Sequence, residues 1–154
     1  MSTVIDFERR SVALGVSLDD LIEAAGARLT DRIIIAGVHH LELLISLTRR
    51  GFLSVTCQSP NRGPHIPNSK ADVILAPAIR SDRDLLDLLE GLGSDLRPGG
   101  TLLVQVEPGA LAADLPLRPA LRAHGVDSFT PVAGPSGALL WRAQKQAAAL
   151  VRAA

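Results

Sequence analysis

Histidine and cysteine side chains that could bind a metal ion follow the first two predicted strands of this chain. His39 and His40 come directly after the first strand, Cys57 ends the second, and His65 lies in the next loop. Ligands of open parallel sheets bind outside the carboxyl ends of the strands, so these side chains could together hold zinc. Adjacent histidines usually point apart, however, and the sequence contains no C-x-x-C or H-x-x-x-H spacing. We therefore predict polar residues around a cleft and no metal site, with Cys57 a small buried side chain and not a nucleophile.

Composition excludes several classes of partner. The 154 residues contain 16 Lys and Arg against 16 Asp and Glu, so the chain lacks the net positive charge that attracts nucleic acid or anionic lipid. Without Tyr, and with only three Phe and one Trp, it offers few side chains for stacking on bases. A single Cys fits a reducing compartment. Residues 1–16 lack the apolar core of a signal peptide, and no apolar run reaches the roughly 18 residues of a membrane span. We predict a cytoplasmic protein that binds neither nucleic acid nor a membrane.

Short apolar runs alternate with segments of helical spacing along most of the chain. The runs rich in β-branched residues are typical of strands buried on both faces in a parallel sheet. Helices are predicted at 17–29, 40–50, 81–92, 144–154 and, more weakly, 109–124. Strands are predicted at Ile33–Ala36, Leu53–Cys57, Asp72–Ala76, Thr101–Val106, Val126–Val132 and Ala138–Ala143.

Two pairs of polar residues indicate where helices begin. Ser17 with Asp20, and Ser81 with Asp84, have the three-residue spacing of a capping pair.

Asp72 begins its strand at the end opposite the expected ligand crevice, so we predict a structural role for it. The inward face predicted for the helix at 40–50 consists of Leu41, Leu44, Ile45 and Thr48.

The alternation predicts an α/β fold with right-handed crossovers between parallel strands. The last two strands break it, because Gly134-Pro135-Ser136-Gly137 between them indicates a hairpin. We predict one domain spanning 1–154, with a Rossmann-like, mostly parallel sheet and a C-terminal antiparallel hairpin. The segment at 1–16 precedes this sheet, and the helix at 144–154 follows it.

One segment resembles a known family. Leu96–Glu107 runs from a helix end through a turn, Pro98-Gly99-Gly100, into a buried strand. This arrangement resembles the fifth strand of class I S-adenosylmethionine-dependent methyltransferases, whose last strand also inserts antiparallel. Three further segments match that family in order, and with the helix at 17–29 the resemblance covers most of the chain. They are Ile33–Phe52, Ala71–Ile79 and His124–Lys145.

The resemblance also implies that one unit of the family fold is missing. Only 13 residues separate Cys57 from Ala71. That length cannot hold the crossover helix and edge strand that the family has at this point. We therefore expect a trimmed sheet.

The resemblance implies a cofactor site that needs a glycine-rich turn after the first strand and an acidic residue after the second. Gly37 matches the first glycine of the turn, but His39 occupies a later glycine position, and a non-glycine residue held at positive φ costs about 1–2 kcal/mol. The second strand ends at the neutral Gln58. Any bound cofactor would contact Gly37, Val38, His39, Gln58 and Pro77, the last of which follows the strand that begins at Asp72.

These departures lead us to expect no cofactor and to interpret the chain as a pseudoenzyme: a methyltransferase-like module for binding or assembly. No residue is assigned to catalysis. The alternative is an active methyltransferase that binds S-adenosylmethionine through an atypical loop, and a third interpretation is a Rossmann-like domain for another nucleotide. The mean hydropathy of +0.24 and the missing unit predict a homodimer or a protein partner. The buried surface would be the Leu53–Cys57 edge or the helix at 144–154.

Overall fold

A computed structural model describes residues 18–36, 40–58, 70–79, 81–106, 117–133 and 139–146, which form one six-stranded sheet with helices on both faces. The helices are α1 (Leu18–Ala25), α2 (His40–Arg49), α3 (Asp82–Leu92) and α4 (Leu117–Ala123). The strands are β1 (Arg32–Ala36), β2 (Ser54–Gln58), β3 (Ala71–Ile79), β4 (Leu96–Val106), β5 (Val126–Ala133) and β6 (Leu139–Lys145).

The strand order is β2-β1-β3-β4-β6-β5. Neighbouring strands from β2 to β4 are parallel, whereas β6 is antiparallel to both β4 and β5. The predicted fold class, a mostly parallel sheet with a C-terminal antiparallel hairpin, is therefore confirmed. Within the described residues, no helix is long and apolar enough to cross a membrane.

Alternating side chains along the strands build two cores, one on each face of the sheet. Ile33 and Ile35 of β1 pack in a cluster with residues of α1 and α2. Ile34 and Ala36 belong to the opposite cluster, which includes residues of α3 and α4. Both faces of β1 are thus buried, which explains its continuous apolar sequence.

The inward face of α2 differs from the prediction. Leu41 is 62% exposed and Ile45 is 39% exposed, whereas Leu43 and Leu47 are fully buried. Leu43 and Leu47 belong to the same cluster as Ile33 and Ile35 of β1. These two leucines therefore form the face of α2 that packs on the sheet. The buried Ser46 tolerates this orientation because its hydroxyl donates to the carbonyl of Glu42 at 2.9 Å.

For the other two residues predicted to lie on the inward face of α2, the prediction is wrong at one and partly right at the other. Thr48 is exposed, and Leu44 is half-buried against the cluster that holds Leu43 and Leu47.

The predicted start of α3 is confirmed. Ser81 is the N-cap, and its hydroxyl oxygen accepts a hydrogen bond from the Asp84 backbone N–H at 3.2 Å. The inward leucines of this helix are Leu85, Leu88, Leu89 and Leu92. The other predicted cap, Ser17, lies outside the described residues.

The segment Pro98-Gly99-Gly100 is an irregularity inside β4 and not the turn before it that was predicted. Ala71 and Val73 are two residues apart along β3, whereas their pairing partners Leu96 and Thr101 are five residues apart along β4. Gly99 has a φ of 81°, which favours glycine. Arg97, Pro98 and Gly99 are exposed, whereas Gly100 is buried and the strand continues from it into the core.

The C-terminal hairpin is longer than predicted. β6 extends to Lys145 and Gln146 is not helical, so the helix expected to begin at residue 144 is wrong over 144–146, and 147–154 lie outside the described residues. The two hairpin strands pair from Val126 opposite Lys145 to Ala133 opposite Leu139.

The trimmed sheet stays a prediction, because residues 59–69, which separate β2 from β3 in the sequence, lie outside the described residues. β2 lies at one end of the strand order, next to β1 alone, and β5 lies at the other end. No described strand occupies the position beyond β2.

Candidate functional site

The ligand-binding edge of a parallel sheet is formed by the carboxyl ends of its strands. Here β1 ends at Ala36 and β2 ends at Gln58, and the register pairs these two residues directly. Ala36 is 1% exposed, whereas Gln58 is half-buried. The side chain that the fold places beside the end of β1 is thus a neutral amide.

The next two strands contribute apolar ends. Ile79 of β3 lies opposite Val106 of β4, and both are buried. The register shifts between Ala76 and Ile79, so the β3 backbone is irregular around Pro77. Pro77 therefore lies within β3, which runs three residues beyond the predicted strand end at Ala76.

The structure brings together only part of the predicted site. The ends of the first two strands meet, as the positions assigned to Gln58 and the glycine turn require. Gly37, Val38 and His39 lie outside the described residues, so their proposed contacts with a cofactor stay predictions. The same holds for His65.

Two polar groups near this edge were not identified from the sequence. Gln105 lies one residue before the end of β4 and is only 9% exposed. Strand alternation places it on the face of Leu103, which is the face covered by α1 and α2. Its one signal in the sequence is that it is a polar residue in the otherwise apolar run Leu102–Val106.

Glu42 is the second such group. It lies in the first turn of α2, two residues after His40, the first residue of that helix. Its Oε2 atom is buried and has no hydrogen-bond partner among the described residues. A carboxylate near a helix N-terminus is stabilised by the helix dipole, so its position in the sequence looks ordinary and did not single it out.

Cys57 has the environment of a structural cysteine. It is half-buried and packs against the cluster shared by α1 and α2. Burial raises the pKa of its thiol, which disfavours the thiolate that a nucleophile or a metal ligand requires. Within the ranges that the structure describes, no three His, Cys, Asp or Glu side chains come together as a metal site would require.

Charged side chains lie together at the opposite, amino end of the sheet. Asp72 accepts a hydrogen bond from the Arg32 backbone N–H at 2.8 Å and forms an ion pair with Arg97. The structural role predicted for Asp72 agrees with these contacts, because they join the starts of three adjacent strands.

Lys145 also lies at this end of the sheet. Its Nζ atom donates to the carbonyl oxygen of Gly93 at 2.8 Å. Burial is the main cause that lowers its pKa, and Lys70 adds to the effect, whereas Asp95 opposes it.

Comparison with known proteins identifies the fold. No protein-family model and no curated protein matches the sequence. Among solved structures, the chain is similar to an S-adenosylmethionine-dependent methyltransferase from Aquifex aeolicus, with a TM-score of 0.65, 13% identity and coverage of 92% of this chain and 96% of that one. It is also similar to the methyltransferase solved in complex with the Haloferax volcanii Trm112 methyltransferase activator, with a TM-score of 0.64, 14% identity and coverage of 94% of each chain.

A third similar structure is magnesium protoporphyrin IX methyltransferase (ChlM) from Synechocystis PCC 6803 with bound SAM, with a TM-score of 0.57, 14% identity and coverage of 84% of this chain and 78% of that one. The chain spans about half the length of other matches, such as 48% of TrmN from Thermus thermophilus. The chain therefore has the fold of class I S-adenosylmethionine-dependent methyltransferases, as the resemblance predicted. At these identities the comparison concerns the fold, and activity has to be argued from the site itself.

Proposed function

We propose that this chain is a non-catalytic methyltransferase-fold module that acts in binding or assembly. The observation that carries the proposal is the pairing of Gln58 with Ala36 at the carboxyl ends of β2 and β1. In the resembling family an acidic side chain at the end of the second strand accepts hydrogen bonds from both ribose hydroxyls. The amide oxygen of Gln58 could accept a hydrogen bond from a ribose, but a neutral acceptor binds a hydroxyl more weakly than a carboxylate does.

The energetic cost of that replacement is large enough to matter. Hydrogen bonds to an ionised acceptor are about twice as strong as those between neutral groups. Leaving a buried polar group without its hydrogen-bond partner costs about 1–3 kcal/mol, and His39 in place of a glycine would also keep the ligand away from the backbone of the turn. Each 1.4 kcal/mol is tenfold in affinity, so we expect a dissociation constant for S-adenosylmethionine weaker than about 100 μM.

Calorimetric titration with S-adenosylmethionine and S-adenosylhomocysteine tests this proposal. The wild-type chain should show no saturation below about 100 μM. His39→Gly combined with Gln58→Asp should restore measurable binding if these two residues alone block the site. His39→Gly combined with Gln58→Glu is the matched control. Because Glu has the length of the wild-type Gln, this variant separates the effect of the negative charge from the effect of the shorter side chain of Asp.

An active methyltransferase with an atypical cofactor loop is the second candidate. It is favoured by the buried Oε2 of Glu42, an acidic acceptor in the first turn of α2 that has no partner among the described residues. If this carboxylate replaces the usual acidic residue, the wild-type chain should bind S-adenosylmethionine and Glu42→Gln should abolish the binding. Loss of binding in Gln58→Ala but not in Glu42→Gln would contradict this candidate.

The assembly role is also a proposal. One methyltransferase similar to this chain was solved with the Trm112 activator, which supports protein partners as one use of this fold. We propose that this chain, as a single domain in the cytoplasm, forms a homodimer or binds another protein, and that nucleic acid is not its ligand. The balanced charge of 16 basic and 16 acidic residues supports the last point.

A further inference from the structure

We propose that β2 pairs antiparallel with β2 of a second copy of this chain, so that two sheets join into one across a two-fold axis at Thr56. The inference rests on the proposed assembly function and specifies its surface. It derives from the distribution of exposed apolar side chains, from the different sequences of the two edge strands and from the symmetry of β2.

The exposed large apolar side chains of the described residues all lie on segments that adjoin β2. Leu53 directly precedes β2 and is 87% exposed. Leu29 packs beside the turn before it, since its Cδ2 atom lies 3.7 Å from the position of a Cβ at Gly51. The full set is Leu29 at 53%, Leu41 at 62%, Ile45 at 39% and Leu53 at 87%. Such a concentration next to one edge is typical of an interaction surface.

β2 and β5, the two outermost strands among the described residues, differ in how they are protected from pairing. β5 contains the exposed Pro131, and its register with β6 shifts between Asp127 and Thr130. Charges, proline and irregular register are the usual means of preventing edge-to-edge association. β2 reads Ser-Val-Thr-Cys-Gln, with neither charge nor proline, and its pairing with β1 is regular from Arg32 to Ala36.

A second copy is the occupant that fits this strand, because β2 is complementary to itself. An antiparallel pair centred on Thr56 places Val55 opposite Cys57 of the other copy, and both belong to the apolar face next to α2. Ser54 then faces Gln58 of the other copy, on the other side of the sheet. No like charges meet, and a chain with a formal net charge of zero has no overall repulsion between copies.

The proposed interface includes α2 as well as β2, because β2 alone is too short to bury the area that a stable dimer requires. A five-residue strand is only about 16 Å long, whereas a stable interface buries about 800 Å² on each partner. A two-fold axis perpendicular to the sheet keeps equivalent faces on the same side. It therefore brings the two copies of α2, each packed over its own β2, next to each other. The exposed Leu41 and Ile45 supply apolar surface that the strand alone lacks.

Light scattering after size exclusion, with sedimentation equilibrium, tests the proposal on the full chain. The wild type should be a dimer at roughly tens of micromolar. Thr56→Glu and Thr56→Lys each place like charges opposite each other at the axis, and each should raise the dimer dissociation constant about tenfold or more. Mixing the two variants should restore a dimer, because the opposed charges then attract. Thr56 is exposed, so the monomer should keep its fold, as circular dichroism will verify.

Thr130→Glu is the matched control, since Thr130 is an exposed threonine on the other edge strand. It should leave the dimer unchanged. A monomeric wild type, an effect of Thr130→Glu equal to that of Thr56→Glu, or no recovery on mixing would each overturn the proposal. A wild-type chain that stays monomeric alone and forms a complex only when another protein is added would also overturn the proposal. It would assign the β2 edge to that protein instead. Cofactor titration answers separately whether the module binds S-adenosylmethionine, because binding by a dimer would refute only the proposed loss of the cofactor site.

Discussion

The amino end of the sheet carries paired charges, whereas the described strand ends at the carboxyl side are apolar or neutral. At the amino end, Asp72 links Arg32 to Arg97. At the carboxyl end, Ala36 and Val106 are buried and Gln58 is an amide. Ligands of this fold bind at the carboxyl end, where charged groups normally orient them. The difference between the two ends supports the proposal that this chain keeps the contacts required for folding and lacks those required for a cofactor.

The largest effect should come from Gly100→Ala at the amino end. A Cβ at Gly100 would lie 2.7 Å from Cδ1 of Leu96, 2.9 Å from the carbonyl oxygen of Arg97 and 3.1 Å from that of Asp72. The two backbone oxygens cannot move freely, so the free energy of unfolding should fall by about 3 kcal/mol in urea denaturation. Gly93→Ala is the control: its Cβ would meet the His124 ring at an ordinary 3.6 Å, and its φ is −59°. Equal losses in both variants would contradict this account.

Asp72→Ala should have the next largest effect. It removes the acceptor of the Arg32 N–H and the partner of Arg97, which should lower the free energy of unfolding by about 2 kcal/mol. Asp87→Ala removes a helical ion pair between this partly exposed carboxylate and the exposed Arg83, and it should cost no more than about 0.5 kcal/mol. If the Asp72 variant were as stable as the Asp87 variant, the amino end would not hold the strands together.

Substitution at the carboxyl end should change stability much less. Gln58→Asp should alter the free energy of unfolding by less than about 1 kcal/mol, because the network formed by Asp72 with Arg32 and Arg97 lies at the opposite end of the sheet. It should not restore cofactor binding unless His39→Gly accompanies it. Thermal denaturation with and without S-adenosylmethionine measures both effects, and a ligand-induced rise in Tm with Gln58→Asp alone would show that the turn is already competent.

The smallest effect concerns the pH dependence of Lys145. Burial lowers its pKa in the folded state from the ordinary value of 10.5, so the folded chain binds fewer protons than the unfolded chain between the lowered pKa and 10.5. Below this pH range Lys145 is charged in both the folded and the unfolded state, so burial of the charge destabilises the folded state to its full extent. This destabilisation disappears as pH rises through the range. Wild type should therefore gain stability relative to Lys145→Met as pH approaches 10.5 in urea denaturation. A constant difference between the two proteins, or one that moves against the wild type, would contradict the assigned direction.

Local signals in the sequence were sufficient for most of the fold. The Ser81 cap was predictable because it needs only a polar residue before a helix, and the hairpin because glycine and proline separate two short strands. The orientation of α2 was not predictable from spacing alone. Leu41 and Ile45 fit a helical stripe as well as Leu43 and Leu47 do, and only contact with the sheet decides between them.

The candidate site was less predictable than the fold, for a physical reason. Its polar groups belong to separate segments that meet only in three dimensions. Gln105 reads as a minor interruption in an apolar strand, and Glu42 as an ordinary first-turn carboxylate. Neither has a motif, so their burial near the ligand edge becomes apparent only when the strands are assembled. Gln58 was identified because the resemblance assigned a role to the end of its strand.

Calorimetric titration of the wild-type chain with S-adenosylmethionine tests the central claim most directly. The neutral end of β2 and the His39 turn predict no saturable binding below about 100 μM. A dissociation constant in the low micromolar range would contradict the claim and establish that this chain binds the cofactor without the usual acidic residue.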